Sequence, residues 1–273
     1  MTDCVFVPDW PDLPSHVKAL STLRCGGVSA APYDDGKGRD GFNLAAHVGD
    51  QIESVLQNRA ILAGYLPKNV NCDPQWLTQV HGTDVLDLGA AQHNEQRKLI
   101  ADACCTSVVN TVCAVQTADC LPVLFCDPIS NHVAAAHAGW RGLVNGVIEN
   151  TLAKMVGAGA NLDRITAWLG PAIGPHQFEV GAEVRQMFVD ADPCAHAAFV
   201  AREYQEKAPQ DVINAKFYAD IYQLARLRLQ RAGVQRISGG NFCTVSEPEK
   251  FYSYRRDGIT GRMASLIWIS AAG

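Results

Sequence analysis

Three consecutive apolar segments in the middle of this 273-residue chain constrain its fold more than any other feature. They span residues 111–116, 121–126 and 132–137 and are rich in Val, Ala, Leu and Cys. Short apolar runs bounded by turn-forming residues are typical of buried strands. After Gly139, apolar residues recur at helical spacing from Leu143 to Met155, which predicts a helix directly behind the third strand. The centre of the chain therefore predicts neighbouring strands followed by a helix.

The flanking regions extend the same alternation. We predict further helices over residues 52–66, with Asp50 as N-cap, and over 184–189 and 213–231. Further strands are predicted over 76–79, 85–88 and 165–169, near 237, and over 266–269. Neither a repeat nor a low-complexity linker interrupts the pattern. The sequence predicts one α/β domain over residues 1–273, with a mixed sheet and flanking helices.

Composition excludes several classes of partner. The formal net charge is -5 and Lys and Arg form no continuous stripe, so neither nucleic acid nor a membrane surface is an expected partner. The N-terminus lacks the pattern of a signal peptide, and no apolar run reaches the length needed to cross a bilayer. We expect a soluble cytoplasmic protein whose cysteines are reduced.

Two histidines and one cysteine stand at predicted strand ends and are candidate metal ligands. They are His81, Cys120 and His137. Imidazole nitrogen and thiolate sulfur suit Zn²⁺, and three protein ligands leave a fourth position for water or substrate. Each histidine alone is equally compatible with a structural role, and Cys120 alone is more typical of a buried thiol. Gln79 and Asp119 are predicted to bind the ligands and fix their orientation.

Arginines near these positions are candidate anion contacts. Arg141 lies in Gly139-Trp140-Arg141-Gly142, at the start of the predicted helix, where backbone N–H groups and a guanidinium together suit a phosphate. The alternative is a tight turn with Arg141 in a surface ion pair. Arg59, and the pair Arg255 and Arg256, add further positive charge, although the pair equally suits a charged hairpin turn.

Several longer motifs are spread along nearly the whole chain. They are Thr22-Leu23-Arg24-Cys25-Gly26-Gly27-Val28-Ser29, Phe42-Asn43-Leu44, Asn58-Arg59, Gln79-Val80-His81-Gly82, Thr117-Ala118-Asp119-Cys120-Leu121-Pro122, His137-Ala138-Gly139-Trp140-Arg141-Gly142, Gly170-Pro171-Ala172-Ile173-Gly174, Phe178-Glu179-Val180-Gly181 and Ser253-Tyr254-Arg255-Arg256-Asp257. In residues and in order, these motifs resemble those of the YfiH-like laccase-domain family.

The resemblance implies a cysteine-hydrolase-like α/β fold and a zinc-dependent purine nucleoside phosphorylase. The implied substrates are phosphate with adenosine, inosine, guanosine or methylthioadenosine, and adenosine deamination is an implied side activity. It makes His81, Cys120 and His137 the zinc ligands. It also places Asn43, Arg59 and Arg141 at positions that contact substrate or phosphate. The protein is expected to be a monomer or a homodimer.

Other enzyme classes were weighed on the same residues. A multicopper oxidase needs about ten histidines, some as His-x-His pairs, whereas this chain has eight and no such pair. His93-Asn94-Glu95 offers the H-x-E of a cytidine deaminase, but no P-C-x-x-C follows. Two alternatives stay open: a cysteine hydrolase in which His137 activates Cys120, and an enzyme that edits peptidoglycan precursors. A non-catalytic binding role is the least favoured.

Overall fold

The computed structural model describes residues 4–11, 13–66, 74–89, 99–202 and 215–271, which form sheets covered by helices. One sheet is antiparallel with strand order β1-β2-β14-β6. Its strands are β1 (Val5–Phe6), β2 (Val17–Thr22), β6 (Cys113–Thr117) and β14 (Met263–Ile269). Between β2 and the first helix, β3 (Cys25–Ser29) forms isolated bridges to Gly41.

A larger, mixed sheet has the order β13-β9-β7-β8-β5-β4. The β4–β5 and β9–β13 pairs are parallel, and the other pairs are antiparallel. Its strands are β4 (Val85–Asp87), β5 (Ala103–Thr106), β7 (Leu121–Asp127), β8 (His132–Ala138), β9 (Thr166–Leu169) and β13 (Arg236–Gly239). The α/β class and the mixed sheet are thereby confirmed.

A small antiparallel sheet and the helices complete the described part of the chain. The small sheet contains β10 (Glu179–Gly181), β11 (Phe199–Ala201) and β12 (Lys216–Ala219). The α-helices are α1 (Ile52–Ala63), α2 (Trp140–Asn145), α3 (Val147–Gly157), α4 (Ala182–Ala191), α5 (Ile221–Arg231) and α6 (Tyr254–Asp257). None of the described helices combines the length and the apolar character needed to cross a bilayer.

The central strands are buried on both faces, which explains their nearly continuous apolar sequence. Successive side chains of a strand point to opposite faces. In β7, Val123 and Phe125 therefore pack in the cluster that also contains Leu143 and Ile148 from α2 and α3. Leu124, between them, packs in a second cluster that also contains Ile267 of β14. The mixed sheet is thus sandwiched between helices and the antiparallel sheet.

Two predicted helices differ from the structure. The helix expected directly behind β8, after Gly139, is divided into α2 and α3 at Gly146, whose φ of 102° is left-handed and accessible mainly to glycine. Within the predicted helix 213–231, residues 213–214 lie outside the described residues and Lys216–Ala219 forms β12. The helix proper begins after Asp220, whose side chain accepts the N–H of Gln223.

Three smaller predictions also differ from the structure. The helix expected over 52–66 ends at Ala63, and its N-cap is Gln51. Asp50 instead accepts hydrogen bonds from the Ser29 hydroxyl and the Asn43 amide, so its side chain ties loops together. The strand expected over 76–79 reduces to a bridge between Thr78 and Ile100. The His93-Asn94-Glu95 segment lies outside the described residues.

Candidate functional site

Strand register brings Cys120 and His137 to one end of the mixed sheet. β7 and β8 are antiparallel, with Leu121 opposite Ala138 and Pro122 opposite His137. Because the start of one antiparallel strand lies beside the end of the other, Cys120, immediately before β7, becomes a neighbour of His137. Two of the sequence-predicted ligands therefore meet through local pairing of consecutive strands.

β4 and β5 bring His81 to the same end of the mixed sheet. β5 pairs with β8 so that Ala103 is opposite Ala136, and the N–H of His137 donates to the carbonyl of Asp102 at 2.7 Å. β4 runs parallel to β5, and the loop before β4 carries His81 with a left-handed φ of 60°. A non-glycine residue in this region is uncommon and occurs where surrounding contacts hold it.

The three predicted ligands form a compact donor cluster. One ligand atom from each of His81, Cys120 and His137 lies within 4.8 Å of the others. The Cys120 Sγ is 3.6 Å from the His81 Nε2, and the two imidazole rings meet edge to face with centroids 4.8 Å apart. His137 is buried, Cys120 is half-buried and His81 is exposed. Two nitrogens and one sulfur at this spacing fit a transition metal ion that is open to solvent on one side.

Asp102 organises this cluster and was missed by the sequence analysis. Its buried carboxylate accepts the backbone N–H groups of Val80, His81 and Gly82, and it binds His137 Nδ1 at 2.8 Å. Burial opposes ionisation of this carboxyl, but hydrogen bonds from His137 and Gly82 lower its pKa. Because Asp102 occupies Nδ1, the Nε2 of His137 is the ring nitrogen left to face the cluster. The signal in the sequence was a single acidic residue among Ala101, Ala103 and Cys104.

The cluster favours charge separation between thiol and imidazole. Burial alone would raise the pKa of Cys120, but interactions with His137 and His81 outweigh it and lower the pKa to about 6. Burial alone would lower the pKa of His137, but Cys120 and Asp102 raise it to about 9. A thiolate beside a protonated imidazole can bind a metal ion, and it can also act as an activated nucleophile.

Gly139 provides the space that the ligands occupy. A Cβ on this residue would lie 2.8 Å from the His81 ring and 3.1 Å from the Cys120 sulfur. Gly142 performs a similar role, because a Cβ there would lie 2.8 Å from the carbonyl of Gly82. Both glycines let the start of α2 approach the His81 loop closely.

The hydrogen bonds of the Gln79 and Asp119 side chains go to groups other than the candidate ligands. The Gln79 amide exchanges two hydrogen bonds with the backbone of Gln116. The Asp119 carboxylate binds the Thr244 hydroxyl and the backbone N–H of Arg255. Both side chains fix the loops that carry His81 and Cys120, rather than the ligand side chains themselves.

The three predicted substrate contacts have different environments. Asn43 is buried, and its amide binds the backbone of Ala45 and Arg262 and the Asp50 carboxylate. The Arg59 guanidinium donates to the carbonyl of Leu44 and stacks on the Trp76 ring at 4.4 Å. In contrast, the exposed Arg141 stacks at 4.4 Å on the ring of its neighbour, Trp140.

Two further residues, Arg262 and Tyr254, were not among the predicted site residues. Arg262 immediately precedes β14, and its backbone N–H binds the Asn43 side chain. Its guanidinium lies 5.9 Å from the ring of Tyr254, which is 61% exposed. The pairing of β14 with β6, across more than 140 positions of sequence, places Arg262 next to the segment that carries Cys120.

Sheet topology and donor cluster together define an α/β protein with a candidate metal centre at one end of its mixed sheet. Residues 18–270 match the family model described as multi-copper polyphenol oxidoreductase laccase, and the chain belongs to that family.

Relatives with assigned names cover nearly the whole chain. It is 50% identical over 267 residues to the purine nucleoside phosphorylase YfiH of Escherichia coli, covering 97% of this chain and 98% of the relative. It is 46% identical over 262 residues to a purine nucleoside phosphorylase of Pseudomonas aeruginosa, covering 96% and 97%. A crystal structure from Neisseria meningitidis is 44% identical, with a TM-score of 0.84 over 98% of this chain and 100% of that one.

Proposed function

We propose that this chain is a zinc-dependent purine nucleoside phosphorylase that cleaves adenosine, inosine, guanosine and methylthioadenosine with phosphate. We include deamination of adenosine as a side activity of the same site. The observation that carries the proposal is the His81, Cys120 and His137 donor cluster, open on one side. The names of the relatives from Escherichia coli and Pseudomonas aeruginosa support the reaction class.

His81, Cys120 and His137 would hold the zinc ion. When bound, zinc supplies a Lewis acid that polarises a substrate oxygen and lowers the pKa of water. The chain's own contribution is orientation. Asp102 fixes the ring of His137 and the loop of His81 at the same time, so two of the three donors are aligned before metal or substrate arrives.

Phosphorolysis requires that the chain hold an anion beside a ribosyl group that becomes positively charged. The C1′–N9 bond breaks with its electron pair passing to the purine, and a phosphate oxygen forms the new bond to C1′. A guanidinium holds phosphate in fixed orientation through paired hydrogen bonds. We assign this role to Arg59, with Arg141 at the exposed edge, while buried Asn43 holds the surrounding loops. The exposed ring of Tyr254 offers a stacking surface for the purine.

Product analysis tests this function directly. The purified protein is incubated with adenosine, with and without phosphate and with and without a strong chelator, and products are identified by mass spectrometry. Adenine with ribose 1-phosphate, dependent on both phosphate and metal, is the expected result. Inosine reports deamination. Absence of both products from metal-loaded protein would contradict the proposal.

A Cys120→Ala variant tests the metal assignment. Removing the thiolate leaves two imidazole donors, so we expect loss of bound zinc and of both activities. Zinc content is measured by elemental analysis after gel filtration. Full zinc content in this variant would refute the assignment of Cys120 as a ligand.

A cysteine hydrolase is the second candidate, and one observation favours it. Asp102 would orient the imidazole, His137 would act as the base and Cys120 as the nucleophile. This set of roles also agrees with the cysteine-hydrolase-like fold that the sequence resemblance implies. Thiol alkylation separates the two candidates. Zinc should protect the activity of a phosphorylase against alkylation, whereas a hydrolase that uses free Cys120 would stay sensitive or be inhibited by zinc.

A further inference from the structure

The backbone of one residue, Leu44, links two arginines. Arg59 donates from Nε and Nη2 to the carbonyl of Leu44, at 3.0 and 2.9 Å. The N–H of Leu44 donates in turn to the carbonyl of Arg262 at 3.4 Å. His47 is three positions further along the same loop. The segment from Leu44 to His47 thus joins the two arginines through the backbone of Leu44 and carries a third basic residue.

The pairing of β14 with β6 places this region beside Cys120. Met263 of β14 lies opposite Thr117, so Arg262 falls next to Ala118, two residues before Cys120. The Arg262 guanidinium donates through Nη1 to the carbonyls of Thr260 and Gly261, which fixes its orientation. The anion and the metal donors would therefore share one opening.

The guanidiniums of Arg59 and Arg262 are held by backbone carbonyls. In the described ranges, neither Arg59 nor Arg262 forms an ion pair, and both donate to backbone carbonyls. Burial lowers the pKa of each guanidinium. Desolvation, followed by the charges of Arg262 and Arg59, also lowers the pKa of His47. The negative groups that act on Arg262 are Cys120 and Asp119.

We propose that Arg262, Arg59 and His47 form the subsite that binds the phosphate co-substrate. This inference rests on the proposed phosphorylase function, and it assigns the anion to Arg262 rather than to Arg141. Half-buried guanidiniums whose remaining N–H groups lack a carboxylate partner bind a divalent oxyanion more strongly than an exposed arginine stacked on its neighbour does. Arg141 then lies at the exposed edge of the site and does not hold the phosphate.

Direct binding of inorganic phosphate to the full chain tests the subsite without requiring turnover. Isothermal titration calorimetry compares the wild type with Arg262→Gln, Arg262→Lys and Arg59→Gln. Loss of a charge-assisted contact should weaken phosphate binding about 10- to 100-fold in the Gln variants. Arg262→Lys should recover part of the loss, because it retains the charge but not the planar fork.

Arg226→Gln is the matched control. Arg226 is also half-buried and donates to two backbone carbonyls, those of Ile237 and Gly239, but it belongs to α5. We expect its phosphate affinity to equal that of the wild type. Thermal melting of each variant reports folding, and the lysine variant and Arg59→Gln keep the test informative if Arg262→Gln does not fold.

Steady-state kinetics separates failure of this inference from failure of the proposed function. The expected result is that KM for phosphate rises much more than KM for nucleoside. Phosphate binding that depends on Arg262 in a protein without phosphorolysis would uphold the subsite and reject the function. Wild-type phosphate affinity in Arg262→Gln, a loss confined to Arg141→Gln, or no phosphate binding by the wild type would overturn the subsite.

Discussion

Replacing Gly139 by alanine should damage the metal centre while leaving the fold intact. The backbone at Gly139 has φ of -59° and ψ of 154°, a conformation that alanine adopts without strain. The new Cβ, however, would lie 2.8 Å from Cδ2 of His81 and 3.1 Å from Sγ of Cys120. The substitution therefore acts on two candidate ligands and not on the main chain.

The size of the effect follows from these distances. Carbon atoms in contact are normally about 3.5 Å or more apart, so the imidazole must move by about 0.7 Å. Metal sites tolerate deviations of only about 0.2 Å in ligand distance. His81 is exposed and has space to rotate, so the displacement costs metal affinity more than folding free energy. We expect zinc binding to weaken about 10- to 100-fold, which corresponds to about 1.4–2.7 kcal/mol.

Competition with a chromogenic zinc chelator measures this loss, and chemical denaturation of the metal-free protein measures stability. Gly157→Ala is the matched control, because a Cβ at Gly157 meets no atom within 4 Å. We expect wild-type zinc affinity in the control and nearly wild-type stability in metal-free Gly139→Ala. Wild-type zinc affinity in Gly139→Ala would refute the reasoning, since the cluster would then tolerate a displaced ligand.

Three further predictions use other parts of the structure. Asp102→Asn keeps one oxygen acceptor but loses the charge that orients the buried histidine ligand, so zinc affinity should fall about 10- to 100-fold in the same competition assay. Asp127, buried and bound to Arg164, has a lowered pKa because hydrogen bonds from Arg164 and nearby N–H groups outweigh the cost of burial; its stabilising contribution is complete above about pH 4 and is lost as the pH falls further. Asp127→Asn should therefore flatten the acid limb of a urea-denaturation series, and an unchanged limb would contradict this. Tyr254→Ala should raise KM for purine nucleosides about 10-fold through lost stacking, with little change in KM for phosphate.

Local sequence patterns predicted the strands better than the way they associate. The apolar runs predicted β7 and β8 nearly to the residue, because both faces of these strands are buried and most of their residues are apolar. The same patterns suggested that β6 would be a neighbour of β7, whereas β6 pairs with β14 in the other sheet. Which strand pairs with which depends on packing between segments far apart in sequence, and a strand's own residues do not encode it.

The predicted helix boundaries were wrong where a glycine or a tertiary contact determines the backbone conformation. Periodicity continued across Gly146, so the division into α2 and α3 required attention to one glycine rather than to the apolar pattern. Likewise, the residues of β12 fit helical spacing, but they form a strand because they pair with β10 and β11. In both cases the apolar period was correct for burial and wrong for the conformation of the backbone.

The ligand types were predictable from the sequence, while the groups that orient them were not. Histidine and cysteine beside strand ends are recognisable as candidate metal ligands by residue type alone. His81, Cys120 and His137 were identified in this way, and the structure brings them together. An orienting carboxylate is recognised only by what it contacts. Gln79 and Asp119 were chosen for being adjacent to ligands in sequence, but the position opposite His137 across the strand pair belongs to Asp102.

This arrangement explains why the candidate site lies at the end of a sheet and not on a flexible loop. Asp102 directly precedes β5 and binds His137 of the neighbouring strand β8, and Cys120 directly precedes β7. Hydrogen bonds across the sheet therefore fix the separations between these groups, and His81 joins them through three N–H groups held by one carboxylate. Such a site is ordered before any ligand binds, which lowers the entropic cost of binding. The exposed side, where Arg262 and Tyr254 lie, is left free to determine which substrate enters.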